Sequence, residues 1–313
     1  MGRRFYLKGR GDVERYIRQN AKRLFVPHSV DPEFPLCTAV ESHLASLEHS
    51  EPIELSSTEG GAFIEESSFD SAALRMKVFR LIKCYPTSAD PKNLDGLVRE
   101  LTDSAKRAFC ELMIARVDAQ DMALVQAFER SSYVACDVLV TYSLKPREVV
   151  PADVGDLELR DGRVNDADWM ARISAEAFSF SHYFNSPWVN RRSAEEVVKK
   201  WINNSIVGYA DRVLIAEREG KPVGYITVRS KSVCEGYKMS TIDLIAVDQS
   251  ARGQGVGRIL TSTAIATHKE EVSSWYVGTQ AQNSAACRMY ESVGFRQASL
   301  SATFHKLLGE KVP

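Results

Sequence analysis

Apolar and polar residues alternate in several short runs of this 313-residue chain, and the runs end at glycine, proline or polar clusters. Alternation with a period of two predicts β-strands, because successive side chains of a strand point to opposite faces. We expect strands in "VACDVLVTYSL", "RVLIAER", "KPVGYITVRS", "MSTIDLIAVD", "SSWYVGTQ", "SATFHKLL", "ALRMKVFRLIK" and "FCELMIARV". The link Glu219-Gly220-Lys221 between the second and third of these predicts a hairpin.

Other stretches space their apolar residues three and four apart, which predicts helices with one buried face. They include "LDGLVRELTDSAKRAF" (94–109), the run after the glycines at 253–257, and "NSAACRMYESVGF" (283–295). Meandering strands followed by alternating strands and helices predict an α/β (α+β) fold. We expect a mixed, mostly antiparallel sheet flanked by helices.

The same pattern divides the chain into three predicted parts. Residues 1–65 hold two helix-like stretches and form an N-terminal helical extension, which "LSSTEGGAFIEESS" (55–68) continues as a linker or long loop. Residues 66–148 form a smaller α/β domain. Residues 149–313 form the domain that carries the recognisable motifs, after a junction with two prolines, "LKPREVVPADVGD".

Composition narrows the classes of partner. The net charge is −1, so no overall field favours nucleic acid or a membrane surface as a partner. No stretch approaches the ~20 apolar residues of a membrane span. The six cysteines and six histidines are dispersed, which predicts a reducing, cytoplasmic setting and no metal site. A homodimer is left open.

The chemistry begins with "DQSARGQGVGRILTSTA" (248–264), a strand end, a glycine-rich loop and a helix. Amide groups at the start of a helix favour an anion, most often a phosphate. The spacing G-x-G-x-G differs from the G-x-G-x-x-G of dinucleotide-binding folds, and the Gly-Lys-Ser/Thr ending of a P-loop is absent. A phosphate ligand of another kind is therefore expected.

The run Arg252-Gly253-Gln254-Gly255-Val256-Gly257 resembles the acyl-CoA diphosphate motif (R/Q-x-x-G-x-G/A) of the GNAT superfamily of N-acetyltransferases. "LIAVD", "VGTQ" and "NSAACRMYESVGF" are similar to that family's fourth strand, fifth strand and following helix. The resemblance implies acetyl-CoA as co-substrate, no metal, and direct attack by the acceptor amine. It implies these cofactor-binding residues: Leu244, Ala246, Val247, Arg252, Gly253, Gln254, Gly255, Val256, Gly257, Arg258, Asn283 and Tyr290.

The resemblance also implies catalytic roles. A backbone N–H near Ile245 would polarise the thioester carbonyl, as the donors of an oxyanion hole do. Tyr290 stands at the position of the family's general-acid tyrosine, seven residues after Asn283 and so on the same helix face. Asp243, His182 or a chain of waters would accept the proton of the amine, and the sequence does not choose among them.

The resemblance implies a small-molecule amine as the acceptor. "AFSFSHYFNSPW" is unusually aromatic and is similar, with "VGTQAQNSAACRMY", to the TDP-fucosamine (dTDP-4-amino-4,6-dideoxygalactose) N-acetyltransferase branch. That resemblance implies a 4-amino-4,6-dideoxy sugar nucleotide. The alternatives are an amino acid, peptide or antibiotic-like amine, a longer acyl-CoA, or a protein that binds CoA without turnover. The candidate acceptor-binding residues are Phe178, Phe180, His182, Tyr183, Phe184, Trp188 and Thr279.

Overall fold

A computed structural model describes residues 53–57, 60–86, 89–146, 149–234 and 236–309. The two helix-like stretches predicted within 1–52 lie outside these residues. The strands are β1 Ile53–Ser57, β2 Gly60–Glu66, β3 Val78–Pro86, β4 Leu112–Asp118, β5 Val134–Leu144, β6 Glu158–Asp161, β7 Arg212–Arg218, β8 Lys221–Cys234, β9 Tyr237–Val247, β10 Ser274–Gln280 and β11 Arg296–Leu307. The α-helices are α1 Ser68–Leu74, α2 Pro91–Arg107, α3 Met122–Arg130, α4 Ala167–Ala177, α5 His182–Asn185, α6 Arg191–Asn204, α7 Val256–Thr267 and α8 Ser284–Val293.

All eleven strands form one sheet in the order β1-β2-β3-β4-β11-β5-β10-β9-β8-β7-β6. Two neighbouring pairs are parallel, β3 with β4 and β9 with β10, and the other pairs are antiparallel. The order is nearly palindromic. The unit β3-α2-β4-α3-β5 repeats as β9-α7-β10-α8-β11, and the two units meet in the middle of the sheet.

The repeated units exchange their last strands. β5 belongs to the first unit but pairs with β10 of the second, with Val140 opposite Thr279. β11 belongs to the second unit but pairs with β4 of the first, with Thr303 opposite Arg116. Each unit therefore completes the sheet of the other. The division of the chain at residues 148 and 149 stays a prediction.

Alternation along the strands separates two faces. Met113 of β4 packs with α2 and α3, whereas Ile114 packs with α1 and α6. Leu214 of β7 faces the cluster of α7, and Ile215 faces that of α4 and α6. The repeated helices α2, α3, α7 and α8 thus cover one face, and α1, α4, α5 and α6 cover the other.

The predicted fold class is confirmed, and one local prediction is wrong. "LSSTEGGAFIEESS" is not a linker, because β1 and β2 pair there as a hairpin, with Leu55 opposite Ala62. The first five residues of β2 are all buried, so the strand shows no alternation, and its two glycines and the serines on either side are typical of a loop. The hairpin predicted between β7 and β8 is confirmed. Glu219 and Gly220 have φ of 51° and 70°, the positive angles that a tight two-residue turn needs.

Candidate active site

The parallel strands β9 and β10 are paired over only part of their length. Their pairing ends at Ile242 opposite Val277, although β9 stays paired with β8 as far as Val247 and β10 stays paired with β5 as far as Gln280. The strands therefore diverge into a gap. Main-chain groups of β9 that face this gap have lost β10 as a partner and are available to a ligand.

A β-bulge lies where the gap opens. β8 pairs Thr227 with Leu244 and Val228 with Ile242, so Asp243 is the extra residue. Ile242 packs toward α7 and Leu244 packs toward α4, which shows that the strand changes face across the bulge. The bulge re-aims the following residues, including Ile245, along the edge of the gap.

The glycine-rich loop meets this gap at the start of α7. Gly253 and Gly255 have φ of 75° and 80°, a left-handed conformation that glycine adopts without strain. Gly255 is the N-cap of α7 and supplies no side-chain cap, whereas the side chain of Asn283 caps α8. The amides in the first turn of α7 therefore remain open to an anion, and this fits the diphosphate of CoA.

A cavity of about 800 Å³ runs from this loop, through the gap, to the face covered by α4, α5 and α6. It brings together most of the residues predicted from the sequence. Those that line it are Phe178, Phe180, His182, Tyr183, Asp243, Leu244, Ile245, Ala246, Val247, Arg252, Gly253, Gly255, Val256, Gly257, Arg258, Thr279, Asn283 and Tyr290.

Three predicted residues do not line the cavity. Gln254 turns away, since its amide nitrogen donates to the carbonyl of Ser250 at 3.0 Å. Phe184 and Trp188 pack into the apolar clusters beneath α4, α5 and α6. These two aromatic side chains contribute to the packing of the protein. A sequence does not distinguish an aromatic residue that lines a pocket from one that packs against the core, because both are apolar.

Tyr290 reaches the cavity from α8 on the far side of the gap. Its side chain is buried, and burial raises the pKa of the phenol above its usual value of 10. The hydroxyl group therefore keeps its proton at neutral pH and is available as a donor. Asn283 lies two turns earlier on the same helix face, and its Oδ1 accepts from the amide of Ala286 at 3.2 Å.

The two candidate bases differ in their partners. Nε of Arg229 donates to Oδ2 of Asp243 at 2.9 Å, and Nη2 donates to Oδ1 at 3.3 Å. Burial raises the pKa of Asp243, and the charge of Arg229 opposes that shift. Both carboxylate oxygens of Asp243 are thus occupied by the guanidinium group.

His182 belongs to a chain of buried polar groups. Its Nδ1 lies 2.8 Å from Nε2 of His305, and Nδ1 of His305 lies 2.9 Å from Oγ of Ser186. Burial, and then the charges of His305 and Arg116, lower the pKa of His182 well below 6.5. The imidazole is therefore neutral at pH 7, and no described residue hydrogen-bonds to its Nε2.

Sequence reasoning missed the inner end of the cavity, where Arg80 of β3 and Arg116 of β4 line the wall. Arg80 binds the carboxylate of Asp70 and donates to Oη of Tyr183 at 2.6 Å. Tyr183 in turn donates to Asp70 at 2.6 Å. The sequence did hold a signal for these two residues. Each is an arginine within an otherwise apolar strand, "VFRLIK" or "LMIARV", where a charged side chain is unusual.

Within the described part of the chain, no three His, Cys, Asp or Glu side chains are grouped so as to hold a metal ion. None of the helices described there is long and apolar enough to cross a membrane.

A parallel strand pair that opens at a bulge, followed by a glycine-rich helix start without a side-chain cap, is the arrangement expected of an acyl-CoA-dependent acyltransferase of the GNAT class. Residues 174–295 match the acetyltransferase (GNAT) family. The prediction of an acetyltransferase enzyme is confirmed by this match and by the names of relatives. Acetyl-CoA is the acetyl donor that the family uses.

The similarity to individual proteins is low but extends over much of the chain. The spore coat polysaccharide biosynthesis protein SpsD of Bacillus subtilis is 24% identical over 251 residues, which cover 77% of this chain and 82% of that protein. The mycothiol acetyltransferase of Acidothermus cellulolyticus is 26% identical over 173 residues, and the match spans only half of that protein. The structure of a GCN5-related N-acetyltransferase from Kribbella flavida has a TM-score of 0.56 at 11% identity, covering 87% of this chain and 95% of that one.

Proposed function

We propose that this enzyme transfers the acetyl group of acetyl-CoA to the amine of a 4-amino-4,6-dideoxy sugar nucleotide. The observation that carries the proposal is the cavity. It joins the diphosphate-binding loop on one face of the sheet to a polar, partly aromatic chamber on the other face, through the gap between β9 and β10.

Acetyl-CoA, when bound, supplies the thioester whose acetyl group is transferred. The open amides of α7 and the guanidinium of Arg252 would hold the diphosphate, and the free edge of β9 from Leu244 to Val247 would hold the pantetheine arm. The amide of Ile245 is proposed to donate to the thioester carbonyl as negative charge develops on its oxygen.

Proton transfer is assigned to Tyr290 and His182. As the C–N bond forms and the C–S bond breaks, the amine loses a proton and the sulfur gains one. The phenol of Tyr290 holds the proton for the sulfur. Nε2 of His182 accepts the proton of the amine, since Nδ1 is engaged by His305. Asp243 is the weaker candidate, because Arg229 occupies both of its oxygens.

The location of His182 supports this assignment. Its backbone N–H donates to Oδ2 of Asp137 at 3.0 Å, and Nε2 of Gln280 donates to the same oxygen at 3.2 Å. Gln280 is the last residue of β10 and borders the gap. Oδ2 of Asp137 therefore links His182 to the edge of the gap between β9 and β10, where the amine would approach the thioester.

The choice of acceptor is supported by two features. SpsD, which is similar to this chain over 251 residues, is named for spore coat polysaccharide biosynthesis. The chamber also pairs aromatic side chains, Phe178 and Phe180, with the arginines of β3 and β4. Aromatic faces stack on sugar rings and bases, whereas guanidinium groups bind phosphate.

A thiol-release assay with acetyl-CoA tests the proposal. The acceptors would be dTDP-4-amino-4,6-dideoxy sugars, free amino acids, short peptides and polyamines. Turnover confined to the sugar nucleotides is expected. Turnover on another amine would support the acetyltransferase activity and contradict the proposed acceptor. Stabilisation by CoA without turnover on any amine would contradict the proposed reaction.

A further inference from the structure

Arg116 has an unusual environment for an interior cation. It lies on the central strand β4, yet it keeps accessible surface because its side chain faces the cavity rather than bulk solvent. Its Nε donates to Oγ1 of Thr303 at 3.1 Å. Among the described residues, no carboxylate lies within ion-pair distance of its guanidinium. The four N–H groups on its terminal nitrogens have no protein acceptor there.

The neighbouring carboxylates do not accept hydrogen bonds from Arg116. Asp70 is bound by Arg80 and Tyr183. Burial raises the pKa of Asp70, but the hydrogen bond and the charge of Arg80 outweigh that effect and hold the pKa below 3.8. Asp137 acts on Arg116 through space, while its Oδ2 accepts from His182 and Gln280. The terminal N–H groups of Arg116 have no protein acceptor among the described residues, so an anion in the cavity that accepts from them would form charge-assisted hydrogen bonds.

Arg80 adds a second cation to the same wall. Two of its nitrogens are used, Nε toward Asp70 and Nη2 toward Tyr183, and the latter residue also lines the cavity. Asp70 and Tyr183 hold the guanidinium in place. β3 and β4 thus present one fixed arginine and one arginine with open donors, a combination that suits an oxyanion with two or three oxygens.

The position of these arginines separates them from the cofactor. The glycine-rich loop lies across the gap, with α7 and α8 on the opposite face of the sheet. From β10 the sheet continues through β5 and β11 to β4, which is three strand spacings, or about 14 Å. The arginine side chain reaches back along part of that distance. An anion held there belongs to the acceptor rather than to CoA.

We propose that Arg116, with Arg80, binds an oxyanion of the acceptor, a phosphate or a carboxylate, and so sets how far the amine extends toward the thioester. The inference rests on the proposed function, because occupation of the gap by acetyl-CoA is what makes the inner chamber the acceptor side. With a sugar nucleotide the oxyanion is the diphosphate. The first repeated unit would then act as the acceptor-recognition half.

The binding test uses the full chain saturated with CoA, so that the glycine-rich loop is already filled. Calorimetric titration with pyrophosphate and, separately, with malonate distinguishes phosphate from carboxylate. We expect one of them to bind, with affinity at least about 10-fold lower in Arg116→Gln and largely restored in Arg116→Lys. Arg191→Gln, which removes one exposed arginine of α6 outside the cavity, is the matched control. Equal affinity in wild type and Arg116→Gln, or no binding of either anion, would overturn the proposal.

The kinetic test separates this inference from the proposed function. With a dTDP-4-amino-4,6-dideoxy sugar, Arg116→Gln should raise the acceptor KM by about 10- to 100-fold and leave the KM for acetyl-CoA unchanged. The free amino sugar, which lacks phosphate, should be insensitive to the substitution. If the sugar nucleotide is turned over and Arg116→Gln has no effect, the proposed anion site is wrong and the proposed function stands. If anion binding depends on Arg116 but no sugar nucleotide is turned over, the proposed acceptor is wrong and the anion site stands.

Discussion

Nδ1 of His182 lies 2.8 Å from Nε2 of His305, so residues 123 positions apart share one hydrogen bond inside the protein. His305 is on β11, in the centre of the sheet, and its other nitrogen contacts Ser186. Because His305 occupies Nδ1, the unbonded nitrogen of His182 is Nε2. A strand from the end of the chain therefore orients the proposed base.

Replacement of His182 distinguishes the two candidate bases. We expect His182→Gln to lower kcat by about 100- to 10,000-fold, the usual contribution of a general base. Asp243→Asn should change kcat by less than about 10-fold, because Arg229 already occupies the carboxylate. Steady-state kinetics at saturating acetyl-CoA makes the comparison. A large loss in Asp243→Asn with a small one in His182→Gln would transfer the role to Asp243.

Tyr290→Phe isolates the proposed general acid. The ring stays in place among buried neighbours, and only the hydroxyl is lost. We expect kcat to fall at least about 100-fold while the Kd for CoA stays within about 3-fold of wild type. Turnover and equilibrium binding of CoA are measured on the same preparation. Parallel losses in both would show that Tyr290 supports the fold of the site rather than the proton transfer.

Gly255→Val tests the glycine-rich loop. A β-branched residue at a φ of 80° costs about 1–3 kcal/mol and displaces the amides that start α7. Binding of CoA should be lost. Gly155→Val is the matched control, because Gly155 has a φ of 58°, open space around it and no place in the cavity. If both variants bind CoA as wild type does, the loop is not the diphosphate site.

The buried histidines predict a stability that depends on pH. Burial, and then the charge of Arg80, lower the pKa of His305 from 6.5 to about 3. Below pH 6.5 the unfolded chain binds a proton at this position and the folded chain does not, so stability is complete above pH 6.5 and decreases as the pH falls toward 3. The loss is about 1.4 kcal/mol per pH unit, or about 2 kcal/mol at pH 5.

Urea unfolding at pH 7.5 and pH 5 measures this dependence. His305→Asn lowers stability at both values, since it alters a buried contact, but the difference between the two pH values should shrink. An unchanged difference in the variant would mean that His305 does not titrate as proposed.

The fold class and the glycine-rich loop beside the cavity were predictable because their signals are local. Period-two alternation indicated most strands, and the run from Arg252 to Gly257 lies within six residues. The inner chamber was not predictable in this way. Arg116 meets Thr303 across 187 positions, and Arg80 meets Tyr183 across 103. A single sequence gives no register for such contacts, since register depends on the order of strands in the sheet.

The aromatic stretch illustrates a second limit. Phe178 and Phe180 line the cavity, whereas Phe184 and Trp188 pack against apolar clusters and do not line it, although all four lie within eleven residues. The short helix α5 turns part of the stretch toward the core, and composition does not reveal that turn.

The central position of β11 has a consequence for synthesis in the cell. The strand between β4 and β5 ends at Leu307, and so it leaves the ribosome after the other ten described strands. Until then the nascent chain carries two open strand edges in what becomes the middle of the sheet, and open edges invite pairing with other chains. The middle of the sheet therefore closes only when β11 inserts between two strands that were synthesised earlier, one from each side of the sheet.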